Sequence, residues 1–164
     1  MSKSVDTTSQ PDMFALLVAM LPKGLRDDLG KVYRFCVLAR ECATSSRVDG
    51  VSLKELTSTW KKAKKTLGSG TLHESDTDID VAVRGMAYIV HRYQCDPVLV
   101  DTYLATLAVD TSLAEYRTLD DQLLALEGLA ETVACICAKV VGIRDTHSVA
   151  VRAQARAFAQ LSYI

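Results

Sequence analysis

The chain has 164 residues, of which 49% are hydrophobic and 24% are charged, a composition that excludes a disordered or fibrous protein and fits one globular domain. Nineteen basic and twenty acidic residues give a net charge of −1, so bulk charge excludes general attraction to nucleic acid. Five cysteines without a CxxC pair indicate an intracellular, reducing compartment, with cytoplasm and mitochondrial matrix both open.

The start of the chain lacks the features of a leader sequence. Its first ten residues are polar, with one lysine and no arginine. No apolar run reaches the roughly 18 residues that cross a bilayer. We therefore expect a flexible N terminus over residues 1–12, a single domain over residues 13–164 and no transmembrane segment.

Apolar residues recur every three or four positions from Met13 onward, which predicts an all-α protein. Ser52 with Glu55, and Thr118 with Asp121, are typical of helix N-terminal caps, and Gly142 of a helix end. Asp96 followed by Pro97 predicts another helix start. The predicted helices are 14–21, 25–43, 52–67, 76–93, 97–107, 118–141 and 147–164.

Two of these helices carry further predictions. The helix over 118–141 is apolar on nearly all sides, so we expect it to be central, with Leu126, Val133 and Cys137 buried. The helix over 52–67 carries four lysines near its end, which we expect to form a solvated face: Lys61, Lys62, Lys64 and Lys65.

Residues suited to catalysis are scattered. No P-loop, GxGxxG, HExxH or GxSxG motif is present, and the three histidines lie far apart in the sequence. Carboxylates at a helix start interact favourably with the helix dipole, so this role is favoured over a divalent metal site for the acids Asp76, Asp78 and Asp80.

An ordered series of segments resembles the squalene/phytoene synthase family. The segment from Met20 to Cys36 is similar to the family's "LP, then R, then alYaFcR" helix. Later segments follow the family's order over nearly the whole chain: Tyr93 to Pro97, Leu104, Asp110, Tyr116 to Leu123, Gly128 to Ala134, Val141 with Gly142, and Ala155 to Ile164.

The resemblance implies an isoprenoid synthase-like helical bundle in which two acid-rich motifs hold Mg²⁺ against the diphosphates of two prenyl substrates. Clustered carboxylates suit this task because metal ions neutralise the leaving diphosphate. The matching positions depart from the first motif: the ungapped register places Arg40 and Glu41 at the paired acids and Thr44 at the third. A shifted register reaches Ser45, Ser46 and Asp49 and does not restore the cluster.

The second acid-rich motif would follow the last segment, and we expect it to be missing because the sequence ends at Ile164. Asp110 and Tyr116 keep the spacing of the family, whereas Glu115 stands where the family has arginine. The resemblance then implies that most metal ligands are lost while the fold is kept, and that no cofactor is bound unless the chain is active with Mg²⁺.

Three functions remain open at this point. The first is a catalytically degenerate family member that binds another protein, as relatives in the assembly of mitochondrial complex I do. The second is an Mg²⁺-dependent prenyltransferase that joins two prenyl diphosphates head-to-head to a squalene- or phytoene-type product, either alone or with acids from a second chain. The third is a helical interaction domain whose likeness to the family is coincidental. For a partner, the expected contact residues are Phe158, Leu161, Tyr163 and Ile164, with packing inside the chain as the alternative.

Overall fold

A computed structural model describes residues 20–44, 52–67, 77–110, 118–143 and 149–154, and these residues are helical apart from short turns. No strand occurs within these ranges, and the all-α prediction is confirmed. Residues 149–154 are also helical. The longer elements are α1 (Lys23–Thr44), α2 (Leu53–Lys65), α3 (Asp78–Arg92), α4 (Val98–Asp110), α5 (Leu119–Leu126), a π-helical segment (Glu127–Glu131) and α6 (Thr132–Val140).

The helix starts follow local capping chemistry. The backbone N–H of Glu55 donates to Ser52 Oγ at 3.3 Å, and that of Asp121 donates to Thr118 Oγ1 at 3.1 Å, as predicted. The N–H of Val98 donates to Asp96 Oδ1 at 2.9 Å, which confirms the predicted start of α4. Gly142 has a φ of 93°, the left-handed conformation that ends a helix with little strain for glycine.

The buried face of α1 shows why this segment is a helix. Its buried residues recur every three or four positions, so one side of the helix faces the core. Each large apolar side chain buried in this way contributes roughly 1.5–3 kcal/mol. The buried residues of α1 are Asp28, Leu29, Val32, Phe35, Ala39, Cys42 and Ala43.

The centre of the described structure is formed by α1 and α4. Helix α1 packs against α2, α3, α4 and α6, and α4 packs against α1, α2, α5, the π-helical segment and α6. The predicted helix over 118–141 reaches this centre through α6, whose Cys135, Ile136 and Val140 are buried. Leu124 in α5 is 69% exposed, and Val133 and Cys137 are only partly buried. The side chain of Leu126 lies outside the described part of the structure.

An aromatic pair joins α1 to α2. Phe35 and Trp60 are both fully buried, with ring centroids 6.4 Å apart in an edge-to-face arrangement. The indole Nε1–H of Trp60 donates to Asp101 Oδ1 at 2.8 Å, so α4 satisfies the polar atom of this buried ring. Three helices thus meet at Trp60.

The π-helical segment allows a close approach to α4. A Cβ atom on Gly128 would overlap Thr106 Oγ1 and would lie 2.9 Å from Thr106 Cβ, too close for any side chain. The hydroxyl of Thr132 donates to the carbonyl of Gly128 at 2.7 Å, which satisfies a carbonyl in this irregular turn. The predicted single helix over 118–141 is therefore interrupted by a wider turn at the contact with α4.

All five cysteines are free thiols. Burial raises the pKa of the Cys36 and Cys137 thiols to about 12 and that of Cys95 to about 11. Cys135 lies near Glu131 and Arg152, whereas Cys137 lies near Cys36 and Cys95, so the two side chains have different neighbours. None of the helices in the described ranges is long and apolar enough to cross a bilayer.

Candidate functional site

The positions that match the first acid-rich motif lie at the C-terminal end of α1. Arg40, Glu41 and Thr44 all point away from the core and are exposed, whereas Cys42 and Ala43 between them are buried. The hydroxyl of Thr44 donates to the carbonyls of Arg40 and Glu41, at 3.0 and 3.2 Å. This hydroxyl therefore caps carbonyls at the end of its own helix.

An open groove of about 550 Å³ lies beside this end of α1. Residues of three helices line it: the last turn of α1, α2 from its N-cap to Lys61, and the end of α4. Arg40, Glu41 and Thr44 are not among its lining residues. The groove is lined by Cys42, Ala43, Ser52, Leu53, Lys54, Thr57, Ser58, Lys61 and Ala108.

The other predicted site residues are only partly located. Asp110 is the last residue of α4, two positions after Ala108 of the groove, and its side chain is not described. Tyr116 lies outside the described residues. The four residues predicted to contact a partner also lie outside them, and their role stays a prediction: Phe158, Leu161, Tyr163 and Ile164.

The lysines of α2 do not all form a solvated face. Lys61, Lys62 and Lys65 are exposed, as predicted. Lys64 instead lies against α4, where its Nζ is 2.5 Å from Asp101 Oδ2, the same carboxylate that accepts from Trp60. The prediction failed for Lys64 because its partner lies on a helix 37 positions away in the sequence.

Asp28 is the one buried carboxylate in the described part of the chain, with a side chain that is 6% exposed. Lys31 Nζ lies 2.6 Å from Asp28 Oδ1, and Arg92 Nε lies 3.7 Å from Oδ2. The hydroxyl of Tyr93 donates to Oδ2 at 2.7 Å. The guanidinium of Arg92 also lies over the rings of Tyr88 and Tyr93, 5.6 Å from each centroid. This group joins α1 to the end of α3.

Electrostatics keep Asp28 ionised despite its burial. Burial by itself raises the pKa of this carboxyl, but hydrogen bonds from Lys31 and Tyr93 and the charges of Lys31 and Arg92 outweigh it, so the pKa lies below its ordinary value. The same hydrogen bond to Asp28 raises the pKa of the Tyr93 phenol. Asp28 is therefore a fixed negative charge between two helices.

We expect Asp28→Asn to lower the free energy of unfolding at neutral pH by about 1–3 kcal/mol, because it weakens a buried, charge-assisted set of hydrogen bonds. Since the pKa of Asp28 is lower in the folded chain than in the unfolded one, its contribution is complete above the unfolded-state pKa and is lost as pH falls through the folded-state pKa. The difference between wild type and variant should therefore shrink in acid, as measured by denaturant unfolding at several pH values.

Asp27→Asn is the matched control for this prediction, because Asp27 is the exposed neighbour of Asp28. It removes the same charge and should change stability by less than about 0.5 kcal/mol. A difference between Asp28→Asn and wild type that stayed constant from neutral to acid pH would contradict the proposed ionisation.

The acids at the start of α3 serve local structure. Asp78 Oδ1 accepts from Arg34 at 3.1 Å, across to α1, and the hydroxyl of Thr77 binds the carboxylate of Asp80. Within the residues described here, no three His, Cys, Asp or Glu side chains are grouped so that they would hold a metal ion. His91 is exposed, and the other two histidines and Asp76 fall outside the described ranges.

Sequence reasoning missed the groove. Its lining residues are common types, and they come together only because α1, α2 and α4 pack against one another. The one available signal was the spacing of Lys54, Ser58, Lys61 and Lys65, which lie four, three and four positions apart and so share one helix face.

Comparison with known proteins agrees with the family resemblance. The sequence model of the squalene/phytoene synthase family matches residues 9–162 of the chain. No curated protein and no solved structure matches it. The family match excludes the third function considered above, a helical interaction domain whose likeness to the family is coincidental.

Proposed function

This chain belongs to the squalene/phytoene synthase family, and we propose that it is a catalytically degenerate member that acts by binding, as a subunit or an assembly factor of a larger complex. The proposal depends on the first acid-rich motif, which in the family holds Mg²⁺ against the diphosphate. In this proposal the chain keeps the helical fold of the family but not its metal chemistry.

The observation that carries the proposal is the set of side chains at Arg40, Glu41 and Thr44. One is a cation, one is a carboxylate, and one is a hydroxyl that binds the carbonyls of its own helix. Mg²⁺ prefers several oxygen ligands, usually including carboxylates, and is repelled by a neighbouring guanidinium. This donor set does not fit the metal.

The purified chain is expected to form no prenyl product from farnesyl or geranylgeranyl diphosphate with Mg²⁺, because these side chains do not neutralise the leaving diphosphate. The measurement is product extraction and chromatography, with an active family enzyme in parallel and a blank without protein. Product above the blank that disappears on Mg²⁺ removal would overturn the proposal.

The binding half of the proposal needs its own measurement. The tagged chain, expressed in its native cell, should co-purify with a specific protein through size-exclusion chromatography. Recovery of the chain alone, at the elution volume of a monomer, would count against a role in a complex.

An alternative function is a prenyltransferase that joins two prenyl diphosphates head-to-head, with the missing acids supplied by a second chain. The groove beside the end of α1 favours this alternative, because the ammonium groups of Lys54 and Lys61 line it and suit a diphosphate. Turnover that appears only when the partner chain is added would support it.

A further inference from the structure

The groove beside α1 has a cationic edge and a small apolar floor. Cys42 and Ala43 of α1 are buried at its base, and Leu53 of α2 and Ala108 of α4 flank them. Lys54 and Lys61 of α2 are exposed at its edge. The lining residues within the described chain include no aspartate or glutamate. Glu41 and Glu55 are exposed close to Cys42, so the positive edge of the groove is confined to Lys54 and Lys61 on α2.

The positive edge continues along α2 beyond the groove. Lys54, Ser58, Lys61 and Lys65 lie on one helix face, and Lys62 is next to it. Lys64 is paired with Asp101, but within the described ranges no ion pair involves the other lysines of α2, which are Lys54, Lys61, Lys62 and Lys65. In a chain of net charge −1, this helix is a local concentration of positive charge.

We infer that this groove binds an acidic amphipathic helix of a partner protein. The apolar side chains of that helix enter the groove over Ala43 and Ala108, and its carboxylates pair with Lys54 and Lys61. The inference rests on the proposed binding function and adds to it the place of contact and the chemistry of the partner.

The shape and composition of the groove favour this partner over a nucleic acid or a membrane surface. Small residues line the floor, so aliphatic side chains have room to enter a space of about 550 Å³. The lining residues carry no aromatic ring on which a nucleic acid base would stack. A membrane surface would require large exposed apolar side chains, whereas the exposed lining residues here are Lys54, Ser58, Lys61 and the small Ala108.

The experiment measures binding of a fluorescein-labelled amphipathic helix of about 16 residues, with leucines on one face and glutamates on the other, by fluorescence anisotropy. A scrambled peptide of the same composition has the same charge without the apolar face. The designed peptide should bind at least fivefold more tightly than the scrambled one. Equal binding of the two peptides, or no binding of either, would overturn the inference.

The variant Lys54→Glu/Lys61→Glu should weaken binding of the designed peptide about tenfold, because each exposed pair contributes a few-fold and reversal adds repulsion. The control Lys23→Glu/Arg26→Glu makes the same charge change at the other end of α1, where Arg26 lies about 24 Å along the helix from Cys42. It should change binding less than twofold. Equal loss in both variants would show general charge attraction and overturn the inference.

Competition identifies other occupants. Three competitors are added to the bound peptide: inorganic pyrophosphate, a double-stranded oligonucleotide, and vesicles of phosphatidylcholine with phosphatidylserine. Each should displace no more peptide than sodium chloride does at the same ionic strength. Displacement by one of them at lower concentration than the unlabelled peptide would overturn the inference in favour of that ligand. Circular dichroism checks that each variant is folded. If Lys54→Glu/Lys61→Glu is not folded, the neutral variant Lys54→Gln/Lys61→Gln is used in its place.

The native complex separates this inference from the proposed function. If a partner co-purifies with the wild-type chain and is lost from Lys54→Glu/Lys61→Glu but kept by the control variant, both proposals are supported. If the partner is kept by all variants, the groove is not its binding site, while the binding function stands.

Discussion

Replacing Trp60 with alanine is expected to lower the free energy of unfolding by about 3–5 kcal/mol, the cost typical of removing a large aromatic side chain from a core. Trp60 is fully buried, packs edge-to-face on Phe35 and donates its indole N–H to Asp101. The alanine variant leaves a cavity where α1, α2 and α4 meet. It also removes one of the two donors to the Asp101 carboxylate.

Denaturant unfolding followed by circular dichroism measures this loss, since Trp60 is the only tryptophan and its fluorescence is absent from the variant. Trp60→Phe keeps much of the apolar volume and should cost less than the alanine change. Ser58→Ala, on the exposed side of the same helix, is the control and should stay within about 0.5 kcal/mol of wild type. An alanine variant with the wild-type midpoint would show that this packing is wrong.

Gly128→Ala is expected to destabilise the chain by about 1–3 kcal/mol, although alanine is the better helix former by about 1 kcal/mol. The added Cβ would overlap Thr106 Oγ1 and would lie 2.9 Å from Thr106 Cβ. Rotation of the threonine does not remove the second contact, because its Cβ is fixed to the backbone of α4. The overlap should therefore outweigh the gain in helix propensity.

Gly30→Ala is the matched control, because Gly30 lies within α1 and a Cβ there meets no atom within 4 Å. This change should stabilise the chain, by up to about 1 kcal/mol. Thr106→Ala should recover part of the loss in Gly128→Ala, since it removes Oγ1 and Cγ2 but leaves Cβ. A double variant whose losses simply add would contradict the contact between Gly128 and Thr106.

Capping and helical periodicity were predictable because they depend on neighbours in the sequence. Ser52 reaches the N–H of a residue three positions away, and Thr118 does the same, so each motif contains its whole interaction. The positive φ of Gly142 is also a local property. These features placed α1, α2, α4 and the start of α5 correctly.

Other features depend on contacts between distant segments. Asp28 is buried by Tyr93, 65 positions later in the chain, and an aspartate beside a second aspartate gives no sign of which one is covered. The interruption of the predicted helix lies where Gly128 comes close to Thr106 on another helix, a contact that the local sequence does not reveal. Apolar composition around 118–141 was misleading as well, because Leu124 remains 69% exposed in the described structure.

Burial shields the Cys95 thiol from reagents in the folded chain, and the same burial raises its pKa to about 11. Only the thiolate reacts readily with an alkylating reagent, and thiols with pKa values of about 11–12 are almost wholly protonated at neutral pH. Reaction of Cys95 therefore requires the turn between α3 and α4 to open to water, which also returns its pKa towards the ordinary value. The alkylation rate of Cys95 therefore measures how often that turn opens, and no cysteine has to be introduced for the measurement.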